Sequence, residues 1–285
     1  MRAVARSRPD TNDMPSPIRT VIKRTVKRGS LYLGTLLPQP RPPSRILTYH
    51  SVGQLDHAMN VTPRNFEEQM AWLAEHMPLN TLDDAAEARP GVAVTLDDGY
   101  RDNLTNAGPI MVKHGIPGVV FIVTDKLGGL LITDAEPRHG TLMTWDEVRA
   151  LDAMGIAIGG HTLTHPRLSH LDAAAQRVEI IECCRRISDE LGKAVRYFAY
   201  PYGTSADYDD TSIALVKEAG CEVACSNRYG YNVIGCDRFA LRRIWIDATD
   251  TLETFAAKVE GRLDALGFLD TRIGMFARRT LNRVA

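Results

Sequence analysis

The stretch Val92-Ala93-Val94-Thr95-Leu96-Asp97-Asp98-Gly99 constrains this chain more than any other. Five apolar or β-branched residues in a row make a strand buried on both faces, and such strands belong to parallel sheets covered by helices. That strand runs straight into two carboxylates and a glycine, at the sheet edge where α/β folds gather their active sites. Around it, short apolar runs alternate with helical patterns. The body begins at Ile46. Thr62-Pro63 reads as N-cap and first residue of a helix carrying Phe66, Met70 and Leu73. A helix is expected near Asn103 to His114, then a strand from Gly118 to Thr124. Thr144 to Glu147 is a capping box opening a helix to Met154. Next come the strand Ile156 to Ile158, a helix from Asp172 to Leu191 stopped by Gly192, and the strand Tyr197 to Tyr200. Another helix precedes Gly220, and a late strand covers Leu241 to Ile246. Asp250 and Glu253 are expected to cap a last helix with Leu252, Phe255, Val259 and Leu263 on one face. This is an α/β alternation of repeated βα units, and its simplest closure is a distorted or incomplete (β/α) barrel.

At 285 residues and 44% hydrophobic, the chain buries a sizeable core without disulfide staples. The expected organisation is a basic arm over residues 1–44, one catalytic domain over 45–270, and a basic tail over 271–285. Met1 to Arg45 carry ten Lys/Arg against two acids, and the residues after Asp270 carry four Arg and no acid. With a formal net charge of −1 overall, the body between is acidic, a poor match for nucleic acid. The arm, with Ile18 to Leu37 mixing apolar and basic residues, suits peripheral contact with an anionic membrane as well as it suits a solvated tail. No run of eighteen apolar residues occurs, and the first thirty residues lack a secretory pattern, so a cytoplasmic place is expected. Five cysteines in no framework spacing agree, read as small buried hydrophobes.

Two adjacent carboxylates at a strand end repel each other unless a cation or proton resolves the clash. In isolation, an Asp-Asp-Gly turn with both side chains in water would look the same. His161-Thr162-Leu163-Thr164-His165 follows another strand end, and an i, i+4 pair on a helical turn would let both imidazoles reach one ion. One carboxylate and two imidazoles make a three-ligand set with open positions, as catalytic divalent sites have. A second carboxylate beside it is a candidate general base. The same ligand count would serve a non-haem iron oxygenase. Trp145 and Phe66 read as packing anchors, and His57, His76, His114, His139 and His170 as surface or loop residues. Tyr100 is a candidate for lining the cleft.

Taken in order, Thr95 to Gly99, His161 to His165 and Phe198-Ala199-Tyr200-Pro201-Tyr202-Gly203 resemble the polysaccharide deacetylases of the NodB-homology type, carbohydrate esterase family 4. Met143-Thr144-Trp145 and Leu168-Ser169 extend the resemblance, which covers about residues 46–265. It implies a NodB-type barrel and a metal-dependent hydrolase that removes N-acetyl groups from an amino-sugar glycan. It also implies Asp97 as base, Asp98, His161 and His165 as ligands of zinc (or Co2+, Ni2+ or Mn2+), and the Tyr202 backbone N–H at the oxyanion. There are two departures. No histidine follows His170, where many members carry a Leu-x-His acid; Ile46 to His50 instead resembles a subgroup with Tyr-His at the front, which implies His50 as general acid. Ala199 stands where many members place an arginine that holds the base; Arg243 matches a late-strand arginine of the subgroup, with Arg242 its competitor, since neighbours on a strand face opposite ways. The implied partner is an N-acetylated glycan or a lipid-linked sugar, the latter with a deformylase variant. A non-catalytic carbohydrate-binding protein on the same fold is the remaining reading.

Overall fold

The computed structural model describes residues 43–55, 57–131 and 140–264. The tail expected over 271–285, all but the last residues of the arm expected over 1–44, and His139 lie outside these described residues. Nine strands are described: β1 (Ser44–Tyr49), β2 (Ser51–Val52), β3 (Asn60–Val61), β4 (Gly91–Leu96), β5 (Gly118–Ile122), β6 (Ala157–Gly160), β7 (Tyr197–Ala199), β8 (Val223–Tyr229) and β9 (Leu241–Trp245). Seven of them form a closed barrel in the order β1-β4-β5-β6-β7-β8-β9, every pair parallel. The ring shuts where β9 pairs β1 through Leu47 with Ile244 and Thr48 with Trp245. β2 and β3 pair separately. The fold is thus the expected (β/α) barrel, with seven strands.

Side-chain alternation sorts the barrel residues into two populations. Ile46, Ala93, Val119, Phe121, Tyr197, Ala199, Val223, Cys225 and Leu241 form a cluster of their own, the barrel interior. Residues of the opposite parity, among them Leu47, Val94, Leu96, Val120, Ile122, Ile158, Phe198 and Ile244, pack against the helices. Phe121 fills much of the interior: a Cβ added at Gly159 would lie 2.5 Å from its ring. Leu82 and Ala85, on the helix Leu82–Ala86, join the inner cluster, and Tyr197 Oη donates to Asp83 Oδ2 at 2.9 Å. Ser44, at the start of β1, donates to Ala85 O, so this helix sits at the N-terminal end of the strands, away from the site.

Several helices follow the sequence. Thr62 caps Pro63–His76, which buries Phe66, Met70 and Leu73, and the Thr144/Glu147 box opens Trp145–Ala153. Others differ. The segments expected as continuous helices over 103–114 and 172–191 contain single π-helical turns at Asn103–Ala107 and Val178–Glu182. The last helix, Leu252–Glu260, is capped by Thr251; Asp250 is instead buried against Lys258 at 2.6 Å, and Leu252 is 40% exposed, off the packed face. β8 was not expected at all, because its Cys225-Ser226-Asn227-Arg228 run has no apolar pattern.

Candidate active site

The inward parity of the strands, carried to or past their C-terminal ends, delivers the site. Two residues beyond Thr48, Thr95, Gly159, Cys225 and Arg243 stand His50, Asp97, His161, Asn227 and Trp245. Asp98 Oδ1 lies 3.5 Å from His161 Nε2 and 3.4 Å from His165 Nε2, and the three ligand atoms lie within 4.8 Å of one another. His161 Nδ1 is 2.7 Å from the Ala199 carbonyl oxygen, which can only accept. The proton therefore sits on Nδ1, and the Nε2 lone pair faces Asp98, so the Ala199 carbonyl fixes the tautomer and ring orientation that a ligating histidine needs. Burial pushes the His161 imidazole below its ordinary value despite the nearby Asp97 charge, and burial with His161 alongside pushes His165 well below it. Two neutral imidazoles and one carboxylate, buried and converging, suit a divalent cation with open positions.

Backbone strain is concentrated here. Of the five non-glycine residues with positive φ among the described residues, four are Asp98 (+73°), Thr162 (+67°), His165 (+67°) and Tyr202 (+60°). Such conformations are sparse for residues with a Cβ and cluster at functional sites. The helical turn expected for His161 to His165 is absent; two left-handed residues bring the imidazoles together instead. Glu179 holds that loop, accepting from Leu163 N and Thr164 N at 2.9 Å each and from Thr164 Oγ1 at 2.6 Å. Asn103 does the same for the front loop, donating through Nδ2 to the His50 carbonyl at 2.8 Å. Both anchors lie in the π-helical turns, which occur often at functional sites.

Asp97, 1% exposed, meets Arg243 in a two-pronged pair: Nη1 to Oδ1 and Nη2 to Oδ2, each 2.7 Å. Arg243 Nε donates to Ser226 O at 2.8 Å, Nη1 also to Thr95 Oγ1 at 3.2 Å, and Nη2 also to Asn227 Oδ1 at 2.8 Å. All five guanidinium donors are thereby used. Burial drives the Asp97 carboxyl up, but Arg243, then His161 and His50, outweigh it and hold the group down at about 2. Arg242 points elsewhere, its Nη1 donating to Tyr229 O. The cation on Asp97 thus comes from β9.

His50 is 7% exposed, with its ring centroid 5.9 Å from that of Trp245. Tyr202 is the centre of a three-residue turn closed by Gly203 N donating to Pro201 O at 2.6 Å. The His165 ring lies 4.9 Å from the Tyr202 ring on one contact, and the Arg167 guanidinium 3.9 Å from it on another. Arg167 also pairs with Asp207, which closes the same loop through Thr204 N at 2.9 Å. Asn227 joins the two halves: its side chain accepts from Arg243, and its N–H donates to Gly203 O at 2.9 Å. A Cβ at Gly203 would lie 2.6 Å from Asn227 N, so only glycine fits. Tyr100, expected to line the cleft, is 2% exposed and packs with Val123, Leu131 and Leu142. Asn103, Glu179, Asn227 and Trp245 escaped the sequence reading; the last was legible as two residues beyond Arg243 on one strand face.

The model of the family described as polysaccharide deacetylase matches residues 84–224. A Bacillus subtilis protein, YxkH, assigned by name to the polysaccharide deacetylases, is 23% identical over 240 residues, covering 81% of this chain and 80% of its own. A chitooligosaccharide deacetylase of Sinorhizobium fredii is 27% identical over 131 residues, covering 45% and 54%. Among solved structures, the Streptococcus pyogenes deacetylase PplD superposes with a TM-score of 0.65 at 19% identity, covering 77% of this chain and 99% of its own. IcaB from Ammonifex degensii gives 0.62 at 23%, covering 76% and 96%. These likenesses share the barrel. With its Asp-Asp-Gly and His-x-x-x-His segments meeting at one end of that barrel, the chain carries a match to the polysaccharide deacetylase family over residues 84–224, just under half of its length.

Proposed function

We propose that this chain removes N-acetyl groups from an amino-sugar glycan, with zinc as the resident cation of Asp98, His161 and His165. The observation that carries the reading is Asp97, ionised and locked by Arg243 beside a converging Asp-His-His set. A carboxylate held at about 2 is a weak base, so the attacking water has to be acidified, and a divalent cation in the adjacent set supplies that together with polarisation of the amide carbonyl.

The protein's own residues do the rest. Arg243 occupies one lone pair on each Asp97 oxygen, leaving the others to take the proton of the attacking water. The turn at Tyr202 presents its N–H where negative charge gathers on the carbonyl oxygen, and its strain means no reorganisation at the moment of reaction. His50 gives a proton to the departing amine, so acetate leaves as the carboxylate and the sugar as the free amine. The test is simultaneous measurement of acetate and free amine from an N-acetylated oligosaccharide with zinc-loaded protein. Equal release of both supports the reading. Release of neither, or release only from a lipid-linked amino sugar, overturns the reaction or the substrate class.

A further inference from the structure

The loop that presents His50 is gripped from one side by a single carboxyl group. Asp102, just before the π-helical turn Asn103–Ala107, has Oδ2 2.6 Å from Ser51 Oγ. Its Oδ1 accepts from Val52 N at 3.0 Å and from Asn103 Nδ2 at 3.2 Å. Asn103 Nδ2 also donates to the His50 carbonyl, and Asn106 Nδ2 donates to Val52 O at 2.7 Å, so His50, Ser51 and Val52 are all tied to this turn. On the other side Asn60 of β3 holds the loop, accepting at Oδ1 from Gly53 N at 3.0 Å and donating from Nδ2 to Gly53 O at 3.1 Å.

If Asp102 were ionised, this network would be one proton short. The two bonds to Gly53 fix which end of the Asn60 amide is oxygen, so Oδ1 can only accept. Ser51 Oγ lies 2.8 Å from that oxygen and 2.6 Å from Asp102 Oδ2, and it has one proton to give. A carboxylate would take that proton, leaving Ser51 Oγ and Asn60 Oδ1 facing each other with lone pairs only. A carboxylic acid satisfies both contacts: Asp102 Oδ2–H donates to Ser51 Oγ, whose own proton goes to Asn60 Oδ1. The division of labour between the carboxyl oxygens fits, since Oδ1 takes both N–H donors and Oδ2 takes neither. We propose that Asp102 is a neutral carboxylic acid in the working enzyme and, as head of this relay, the positioning residue for His50. What His50 does rests on the deacetylase reading; the proton count does not.

The surroundings favour the proton. Burial raises the Asp102 carboxyl above its ordinary value, and the bonds from Ser51, Val52 N and Asn103 only partly oppose that. Among the described residues no charged group bonds it. On its own helix Arg101 turns outward to Glu147 at 2.6 Å, and on the loop between β2 and β3 the His57 ring accepts from Met59 N at 3.1 Å. The His50 ring stands on the far side, against Trp245. As pH rises through the raised value the proton leaves, Ser51 turns to the carboxylate, and the pairing of Ser51 with Asn60 loses its side-chain bond. His50 then loses its fixed place.

The experiment compares Asp102→Asn with Asp102→Ala in the zinc-loaded full chain acting on an N-acetylated oligosaccharide at pH 6. An amide replaces the neutral acid atom for atom, its NH2 donating to Ser51 and its oxygen accepting from Val52 N and Asn103. In Asp102→Ala kcat should fall about ten- to a hundredfold, the scale of a misplaced catalytic group, with KM and zinc content unchanged. Asp102→Asn should recover most of that loss, and its kcat should decline less steeply than wild type between pH 6 and 9. A second readout needs no turnover: the infrared spectrum of wild type should carry the carbonyl stretch of a protonated carboxyl, shifted in D2O and missing from Asp102→Asn. That band without acetate release would sink the deacetylase reading and leave the neutral acid standing. Absence of the band, or Asp102→Asn as slow as Asp102→Ala, would overturn the neutral acid. Asp102→Ala at the wild-type kcat would overturn the positioning role.

Discussion

Replacing Arg243 by Met removes the one cation that, among the described residues, hydrogen-bonds the Asp97 carboxylate. Asp97 and Arg243 are each 1% exposed, so the stranded charge stays in a dry interior. Breaking one side of a buried pair destabilises by about 3–5 kcal/mol, and that is the loss expected for the chelator-treated variant in urea unfolding at pH 7. Its pH dependence separates this cause from lost packing. In the wild type the Asp97 pKa lies at about 2, below the ordinary 3.8. The pair's contribution is therefore fully present above pH 4 and lost as pH falls through 2, about 2 kcal/mol at 1.36 kcal/mol per pKa unit. In the variant, burial is opposed only by His161 and His50 and raises the Asp97 pKa, so stability now rises as pH falls. The gap between the two proteins should be widest at neutral pH and narrow toward pH 3. Adding Asp97→Asn to Arg243→Met should restore much of the loss, because the charge stranded by the loss of Arg243 is gone. A gap under about 1 kcal/mol at pH 7, or one of constant size from pH 3 to 7, would refute the argument.

Zinc affinity measured by calorimetry should be flat from pH 8 down to the ordinary histidine value and weaken only below it, since both imidazoles are held neutral there; a steady climb in affinity through pH 7 would contradict this. Asn227→Ala frees one Arg243 donor, so kcat should fall about tenfold with KM little changed, roughly the 1.5 kcal/mol at the low end for a hydrogen bond to a charged group. Gly159→Ala places a methyl 2.5 Å from the Phe121 ring, and urea unfolding should show a loss of about 1–3 kcal/mol.

The barrel was legible because buried parallel strands such as Val92 to Leu96 are continuous apolar runs, and because Thr62 and Thr144 announce their helices by capping. β8 was illegible for the converse reason: its inward residues Val223, Cys225 and Asn227 descend from core to site and grow polar on the way. The site's letters were readable but not its backbone. A spacing of four suits a helical turn, yet the same two imidazoles converge here through left-handed Thr162 and His165, a choice made by Glu179 from sixteen residues downstream. The choice between Arg242 and Arg243 needed the register of β9 on β1, which places Ile244 opposite Leu47 on the outer face and so turns Arg243 inward. The π-helical turns were invisible because one extra residue inside a helix leaves the apolar pattern nearly intact.

Metal content and turnover, measured together on three proteins, test the account most directly. Wild type should hold one zinc per chain and release acetate from an N-acetylated oligosaccharide. Asp97→Asn should keep its zinc and release none, and His161→Ala should lose both. Acetate release by Asp97→Asn at the wild-type rate, or zinc retained at full stoichiometry in His161→Ala, would contradict the assignment of base and ligands.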